Sequence, residues 1–207
     1  IITVDDIIDV IDEESAQDYS RLAGVGTEDL SENPWAAFKS RMPWLVTMLF
    51  LGLISAVLIS QFQGVLDRFG VLAVFITLIT GTAGNAGTQS LAVAMRRLAN
   101  DEDDNSGFKI ILNEILTGLL TSVLTGLVIF VVVLLWQHNL MLGIIVGAAM
   151  WGAIFIANLV GSLIPIILEK LGQDPGVASG PLISTVSDII SILIYFNIAT
   201  ICLANFH

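Results

Sequence analysis

The sequence predicts an all-α integral membrane protein in which five transmembrane helices follow a cytosolic amphipathic helix. Of its 207 residues, 55% are hydrophobic and only 13% are charged, and the mean hydropathy is +0.87. These values are too apolar for the surface of an ordinary soluble domain. Five apolar runs are each long enough to cross a hydrocarbon core of about 30 Å at a helical rise of about 1.5 Å per residue.

The first forty residues are far more acidic than the remainder. The formal net charge is −11, and ten of the nineteen acidic residues precede residue 33. From Thr3 to about Leu22 the apolar positions recur at helical spacing, and Thr3 with Asp6 suits a capping box. A solvated amphipathic helix is predicted, with an acidic sensor of divalent cations as the alternative. Because the chain opens on Ile1, we expect an upstream soluble part to be missing.

Pro34 is predicted to start a short amphipathic approach to the first span, since proline favours the first turn of a helix. Polar, glycine and proline residues separate the spans that follow. The five predicted spans are Pro43–Phe62, Phe69–Met95, Phe108–Trp136, Leu140–Leu168 and Pro181–Ala204.

Basic residues orient these spans, because Lys and Arg near span ends favour the cytoplasmic side. Only Arg68 falls on the side opposite the N-terminus. The basic residues on the N-terminal side are Arg21, Lys39, Arg41, Arg96, Arg97, Lys109 and Lys170. The N-terminus is therefore predicted to be cytoplasmic, and an odd number of spans places His207 outside the cell.

Asp188 is a carboxylate deep in the last span, seven residues after Pro181, with no Lys or Arg nearby in sequence. Ionisable groups at such depth are costly and usually serve a function. The residues that share a helical face there are Gly180, Ser184, Asp188, Ser191 and Tyr195. This face predicts a pore lining with Asp188 as ion ligand. The alternative is a protonated Asp188 bonded to a neighbouring helix.

Polar residues in the second and third spans are further candidates for the pathway. Asn85 and Gln89 lie in a run rich in glycine and amides, for which close helix packing is the alternative. Glu114 shares a face with three threonines of the third span and is a candidate for the pathway. The alternative interpretation is that Glu114 is a hydrated carboxylate near Lys109. In the fourth span, Gly143 precedes Gly147 by four residues, a weak signal for dimerisation.

The absence of His and Cys clusters from the sequence favours a hard cation with oxygen ligands. Mg²⁺ gives up its waters reluctantly, so carboxylate, hydroxyl and carbonyl oxygens around a hydrated ion would suit it. Ca²⁺, Na⁺ and Mn²⁺ stay open on these grounds. One aspartate per chain carries little charge for a divalent ion, and a symmetric dimer would double it.

Several motifs spread over about residues 40–205 carry a family resemblance. They are Arg41-Met42-Pro43-Trp44-Leu45, Gly84-Asn85-Ala86-Gly87-Thr88-Gln89, Asn158-Leu159-Val160-Gly161, Asp174-Pro175 with Ser179-Gly180-Pro181, and Ser187-Asp188 with Ile194-Tyr195. Together they make the chain similar to the MgtE family of magnesium channels. The resemblance departs from the family pattern at Gly180 and Ser184, where some members have Asn and Ala.

The resemblance implies a homodimer with a central pore, in which Asp188 of both subunits binds hydrated Mg²⁺ together with the backbone carbonyl of Ser184. Asn85 would line the same pathway, and Asp174 would be a regulatory acid at the cytoplasmic mouth. The full set of expected pore-lining residues is Asn85, Gln89, Gly180, Ser191 and Glu114. Mg²⁺ is the expected cargo, driven inward by the membrane potential, and a regulatory ligand as well.

The resemblance also predicts the domain organisation. Residues 1–15 would be the remnant of a truncated cytosolic CBS-type domain, 16–40 the connecting or plug helix, and 41–207 the five-helix pore domain. The expected partners are a second copy, the lipid bilayer of the cell membrane, and cytosolic N and CBS domains absent here. No nucleic-acid partner is predicted.

Three other functions compete with a channel. A proton- or sodium-coupled transporter would use a change in the protonation of Asp188 during its cycle. An intramembrane aspartyl protease needs two close carboxylates, and each chain offers one at depth, so the prediction is that the protein is not an enzyme. A passive membrane anchor would not require several polar helix faces.

Overall fold

The computed structural model describes residues 3–23, 33–100 and 106–205, and within these ranges the regular structure is helical, without a strand. This confirms the all-α class. His207 and residues 24–32 of the predicted connecting segment lie outside the described residues. The helices are α1 (Val4–Ala23), α2 (Pro34–Gln61), α3 (Gln63–Arg68), α4 (Leu72–Asn100), α5 (Ser106–Gln137), α6 (Leu140–Lys170) and α7 (Gly180–Asn205), with a short 3-10 helix at Pro175–Val177.

Four of these helices are long and apolar enough to cross a membrane: α2, α5 from Ile111 onward, α6 and α7. The 29-residue helix α4 does not join them by composition. Its middle holds Gly, Thr, Asn and Gln where the other four helices carry aliphatic side chains. Hydropathy therefore supports four of the five predicted spans, and α4 is the predicted span that it does not support.

Local hydrogen bonds and a proline define the two N-terminal helices. The amide and hydroxyl of Thr3 donate to Asp6 Oδ2 at 2.8 and 2.6 Å, and the Asp6 amide donates back to Thr3 Oγ1 at 3.3 Å. This confirms the predicted capping box. Asn33 Oδ1 caps α2 by accepting from the Trp35 amide, and α2 then continues through Pro43. The predicted approach segment and the first span are thus one helix.

The helix α6 occupies the centre of the bundle, with α4, α5 and α7 packed against it. Glycine permits the closest approaches, since a Cβ at Gly161 would collide with the carbonyl oxygen of Gly87 on α4. A Cβ at Gly147 would lie 2.9 Å from Phe130 Cβ on α5, and Gly143 also faces Phe130. The glycine pair that gave a weak dimerisation signal therefore packs inside the chain.

A hydrogen-bonded turn ends α6 and leads into α7. Gly172 has a positive φ of 69°, its amide donates to Glu169 O at 2.9 Å, and the Gln173 amide donates to Leu168 O at 2.9 Å. This pattern is a Schellman motif. Asp174 then caps the 3-10 helix by accepting from the Gly176 amide at 2.8 Å. Helix α1 lies against this 3-10 helix, so both occupy the same end of the bundle.

Candidate functional site

Asp188 lies on α7, half-buried, on the side that faces α4. A Cβ built at Gly84 of α4 would lie 3.7 Å from Asp188 Oδ1 and only 2.5 Å from Ser184 Oγ. The absence of a side chain at Gly84 is therefore what allows α7 to place Ser184 and Asp188 against α4. The result is a carboxylate and a hydroxyl one helical turn apart on a surface that glycine keeps open.

The remainder of the predicted polar face of α7 is buried in the core. The Ser191 hydroxyl donates to Ser187 O at 2.6 Å, and the Tyr195 hydroxyl donates to Leu72 O at 2.9 Å. Ser191 and Tyr195 are 0% and 1% exposed. Among the described residues in the middle of this face, only Ser184 and Asp188 are partly exposed. Ser191 therefore contacts other residues of this chain.

Three predicted pore-lining residues, Asn85, Gln89 and Glu114, lie together at a different place. They line a cleft of about 470 Å³ between α4 and α5, whose floor is Ile154 and Asn158 of α6. Asn85 follows Gly84 in sequence, but successive side chains on a helix are rotated by about 100° about its axis. Asn85 therefore lies away from the face of α4 that meets Asp188. The structure thus separates the predicted site residues into two groups on two sides of α4.

Glu114 is buried, with 5% of its surface exposed, and Ser90 of α4 donates a hydrogen bond to Glu114 Oε2 at 2.5 Å. The same hydroxyl lies 2.7 Å from the carbonyl oxygen of Asn158 on α6. Glu114 is therefore hydrogen-bonded inside the chain and also lines the cleft. Ser90 is a site residue that the sequence pattern does not indicate, since its only signal is a hydroxyl directly after the polar run that ends at Gln89.

Gly180 and Asp174 lie on the connection that leads into α7. Gly180 is the first residue of α7, about 12 Å of helix rise from Asp188. Asp174 is exposed, and its carboxylate accepts from the Gly176 amide as described above. Both therefore precede Asp188 on the end of the bundle where α1 lies.

The donor set around Asp188 suits a hard cation that keeps its water. The oxygen atoms that this chain places together there are those of the Asp188 carboxylate and the Ser184 hydroxyl, which are of the type that Mg²⁺ and Ca²⁺ prefer. The described residues contain no group of three or more His, Cys, Asp or Glu side chains that could enclose a metal ion. One chain thus offers a single intramembrane carboxylate here and leaves most of the coordination to water or to further oxygens.

Comparison with known proteins supports the resemblance. The sequence profile of the MgtE family, described as a divalent cation transporter, matches residues 76–198, more than half of the chain. The "Magnesium transporter MgtE" of Enterococcus faecalis is 60% identical over 100% of this chain and 46% of its own length. Those of Bacillus subtilis and Thermus thermophilus are 42% and 35% identical, over 97% and 98% of this chain and 45% and 46% of their own lengths. The chain spans about half the length of the curated relatives it matches, and it belongs to the MgtE family of divalent cation transporters.

Proposed function

We propose that this chain conducts hydrated Mg²⁺ across a membrane, with Asp188 as the anionic ligand of the ion. The observation that carries the proposal is the placement of the Asp188 carboxylate and Ser184 against Gly84, in a helix otherwise apolar enough to span a bilayer. A carboxylate at that depth needs a cation, a proton or a polar partner. The three relatives named as magnesium transporters favour Mg²⁺ as the cation.

The position of α1 supports five spans, with α4 as the fifth. Helix α1 and the 3-10 helix before α7 lie at one end of the bundle, so the chain between them crosses the membrane an even number of times. Helices α2, α5 and α6 alone would give three crossings. Counting α4 gives four, and α7 then makes five. With the basic residues concentrated on the side of α1, that side is cytoplasmic.

A homodimer would complete the ion site, because two copies bring two Asp188 carboxylates to one axis. The surface of α2 favours such a partner or lipid, since α2 has no buried residue in the described chain. Inward flow would be driven by the membrane potential. Each charge gains about 2.3 kcal/mol per 100 mV, and a divalent ion gains twice that.

Regulation would act at the cytoplasmic end. Asp174 and α1 lie near the 3-10 helix that leads into α7. The family resemblance assigns residues 16–40 to a connecting helix, which would respond to Mg²⁺ bound by cytosolic N and CBS domains. Those domains would belong to the part of the relatives' length that this chain does not span.

The test is Mg²⁺ uptake into proteoliposomes, with and without an imposed potential. Asp188→Asn should lower uptake at least tenfold, because the isosteric amide removes the charge but keeps the shape. The matched control is Asp67→Asn on the exposed helix α3, whose carboxylate accepts a bond from Gln63 Nε2, and it should conduct normally. Unchanged uptake by Asp188→Asn would exclude Asp188 as the ion ligand. Uptake that follows a pH or sodium gradient at zero potential would favour coupled transport instead.

A further inference from the structure

The cleft between α4 and α5 is separate from the proposed ion site at Asp188. Helices α4 and α5 each pack closely on α6 but touch one another little, which leaves a cavity of about 470 Å³ between them. The cleft lies on the side of α4 that carries Asn85 and Gln89, whereas Gly84 faces α7. Nine of the twelve residues that line the cleft carry a hydroxyl, amide or carboxyl group, and polar groups inside a membrane usually face a protein interior or water.

Three of the four threonines that line the cleft donate their hydroxyl protons to backbone carbonyls of their own helix. Thr82 Oγ1 donates to Leu78 O at 2.6 Å, Thr121 Oγ1 to Thr117 O at 2.8 Å, and Thr125 Oγ1 to Thr121 O at 2.7 Å. A hydroxyl has one proton. Each of these hydroxyls uses its proton on the backbone of its own helix, so what remains for a ligand in the cleft is an acceptor.

Asn158 and Glu114 add to this acceptor surface at the floor and wall of the cleft. The amide nitrogen of Asn158 donates to Ile154 O at 3.0 Å and lies 3.5 Å from Thr121 Oγ1, which leaves Asn158 Oδ1 as an acceptor. Ser90 engages Oε2 of Glu114, which leaves Oε1. The residues that line the described cleft include no Lys, Arg or His. The cleft therefore favours positive charge.

We propose that this cleft is a second cation-binding site, with Glu114 as its anionic ligand and the oxygens of Asn158 and Thr121 as neutral ligands or partners of the ion's waters. The volume is sufficient. A first shell of about six waters at about 30 Å³ each takes up roughly 180 Å³, less than half of the cleft. The site does not depend on Asp188 or on the direction of transport.

The experiment measures binding near Glu114 with Mn²⁺ as a paramagnetic probe. The full chain carries Cys202→Ser and Asp188→Asn and is placed in lipid nanodiscs. A nitroxide is attached to a cysteine introduced by Leu116→Cys on the exposed face of α5. Mn²⁺ bound at Glu114 should broaden the spectrum of this nitroxide. A label at Leu135→Cys, about 30 Å further along α5, should be unaffected by the same ion.

Glu114→Gln should weaken the Mn²⁺-dependent broadening at position 116 at least tenfold, and Glu114→Asp should retain it. Thr121→Val, which removes one oxygen at nearly constant volume, should weaken it several-fold and serves if Glu114→Gln does not fold. Equal broadening with Glu114→Gln or Thr121→Val would overturn the proposal. The proposal would also be overturned if these variants altered assembly in size-exclusion chromatography while the broadening stayed unchanged. The cleft would then be a packing surface. Since Asp188 is absent from every variant, the result is independent of the uptake experiment.

Discussion

Helices α6 and α2 are similar in sequence character but differ completely in burial. Both are long and apolar enough to span a membrane, with 31 and 28 residues, and each contains an internal proline, Pro165 or Pro43. Yet 56% of the most apolar stretch of α6 is buried, against 0% for α2. Hydropathy places both helices in the bilayer, but it does not decide which one forms the core.

The positions of the glycines account for the difference. On α6, Gly147 and Gly161 meet the backbone of α5 and α4, where a side chain would not fit. On α2, a Cβ at Gly52 would meet no atom of the described residues within 4 Å. In a membrane, helix association depends on close packing because lipid chains are as apolar as the side chains. Small residues that face neighbouring backbones therefore determine the centre of this bundle.

The largest expected effect comes from Gly161→Ala. The new methyl group would collide with the Gly87 carbonyl, a backbone group that moves only if α4 and α6 separate, so we expect a loss of about 3 kcal/mol in the free energy of unfolding. Gly52→Ala is the matched control and should be neutral or slightly stabilising, by up to about 1 kcal/mol. Unfolding in mixed micelles measures both. Equal stability of the two variants would contradict the role given to glycine.

A smaller effect is expected where the core is held by a hydrogen bond. Ser90→Ala removes the donor to the buried carboxyl of Glu114, and leaving that group without its partner should cost about 1–3 kcal/mol. Ser187→Ala is the matched control, since the Ser187 hydroxyl is buried and has no hydrogen-bond partner among the described residues, so its loss should cost almost nothing. The same unfolding assay compares them. A larger loss for Ser187→Ala would refute this assignment.

The smallest effect is expected in α1, whose first turn is stabilised by local hydrogen bonds and not by packing in the core. Hydrogen bonds from the hydroxyl and then the amide of Thr3 hold the pKa of Asp6 below its usual value of 3.8. The folded-state pKa is depressed, so the stabilisation is present above pH 3.8 and is lost as the pH falls through the folded value. Carbon chemical shifts of residues 4–7 should show this fraying, and Asp6→Asn should remove its pH dependence. An unchanged titration in Asp6→Asn would assign it to another group.

The sequence predicted what depends on local pattern. The MgtE resemblance is confirmed by the family match, and because the family is one of transporters, the prediction that the chain is not an enzyme is confirmed with it. The helices and the Thr3–Asp6 cap follow from periodicity and from spacing within one turn. Mg²⁺ as cargo, the dimer and the orientation stay proposals.

Contacts between distant residues could not be predicted in the same way. Ser90 and Glu114 are 24 residues apart, and nothing local to either indicates that they bond. The face of α7 that appeared continuous by helical spacing is divided in the structure, because Tyr195 reaches Leu72 across 123 residues. Helical spacing gives the direction of a side chain, but the neighbouring helix decides whether that direction leads to a cavity or to the core.

The polar middle of α4 has a consequence for biosynthesis. A segment with Thr82, Asn85 and Gln89 near its centre partitions poorly from the translocation channel into lipid, because amide and hydroxyl groups are disfavoured at mid-bilayer. These side chains line the cleft whose floor is α6, and α6 is made later in the chain. As the proposed fifth span, α4 should therefore insert stably only after the ribosome has completed α6, which makes that helix a checkpoint for assembly of the bundle.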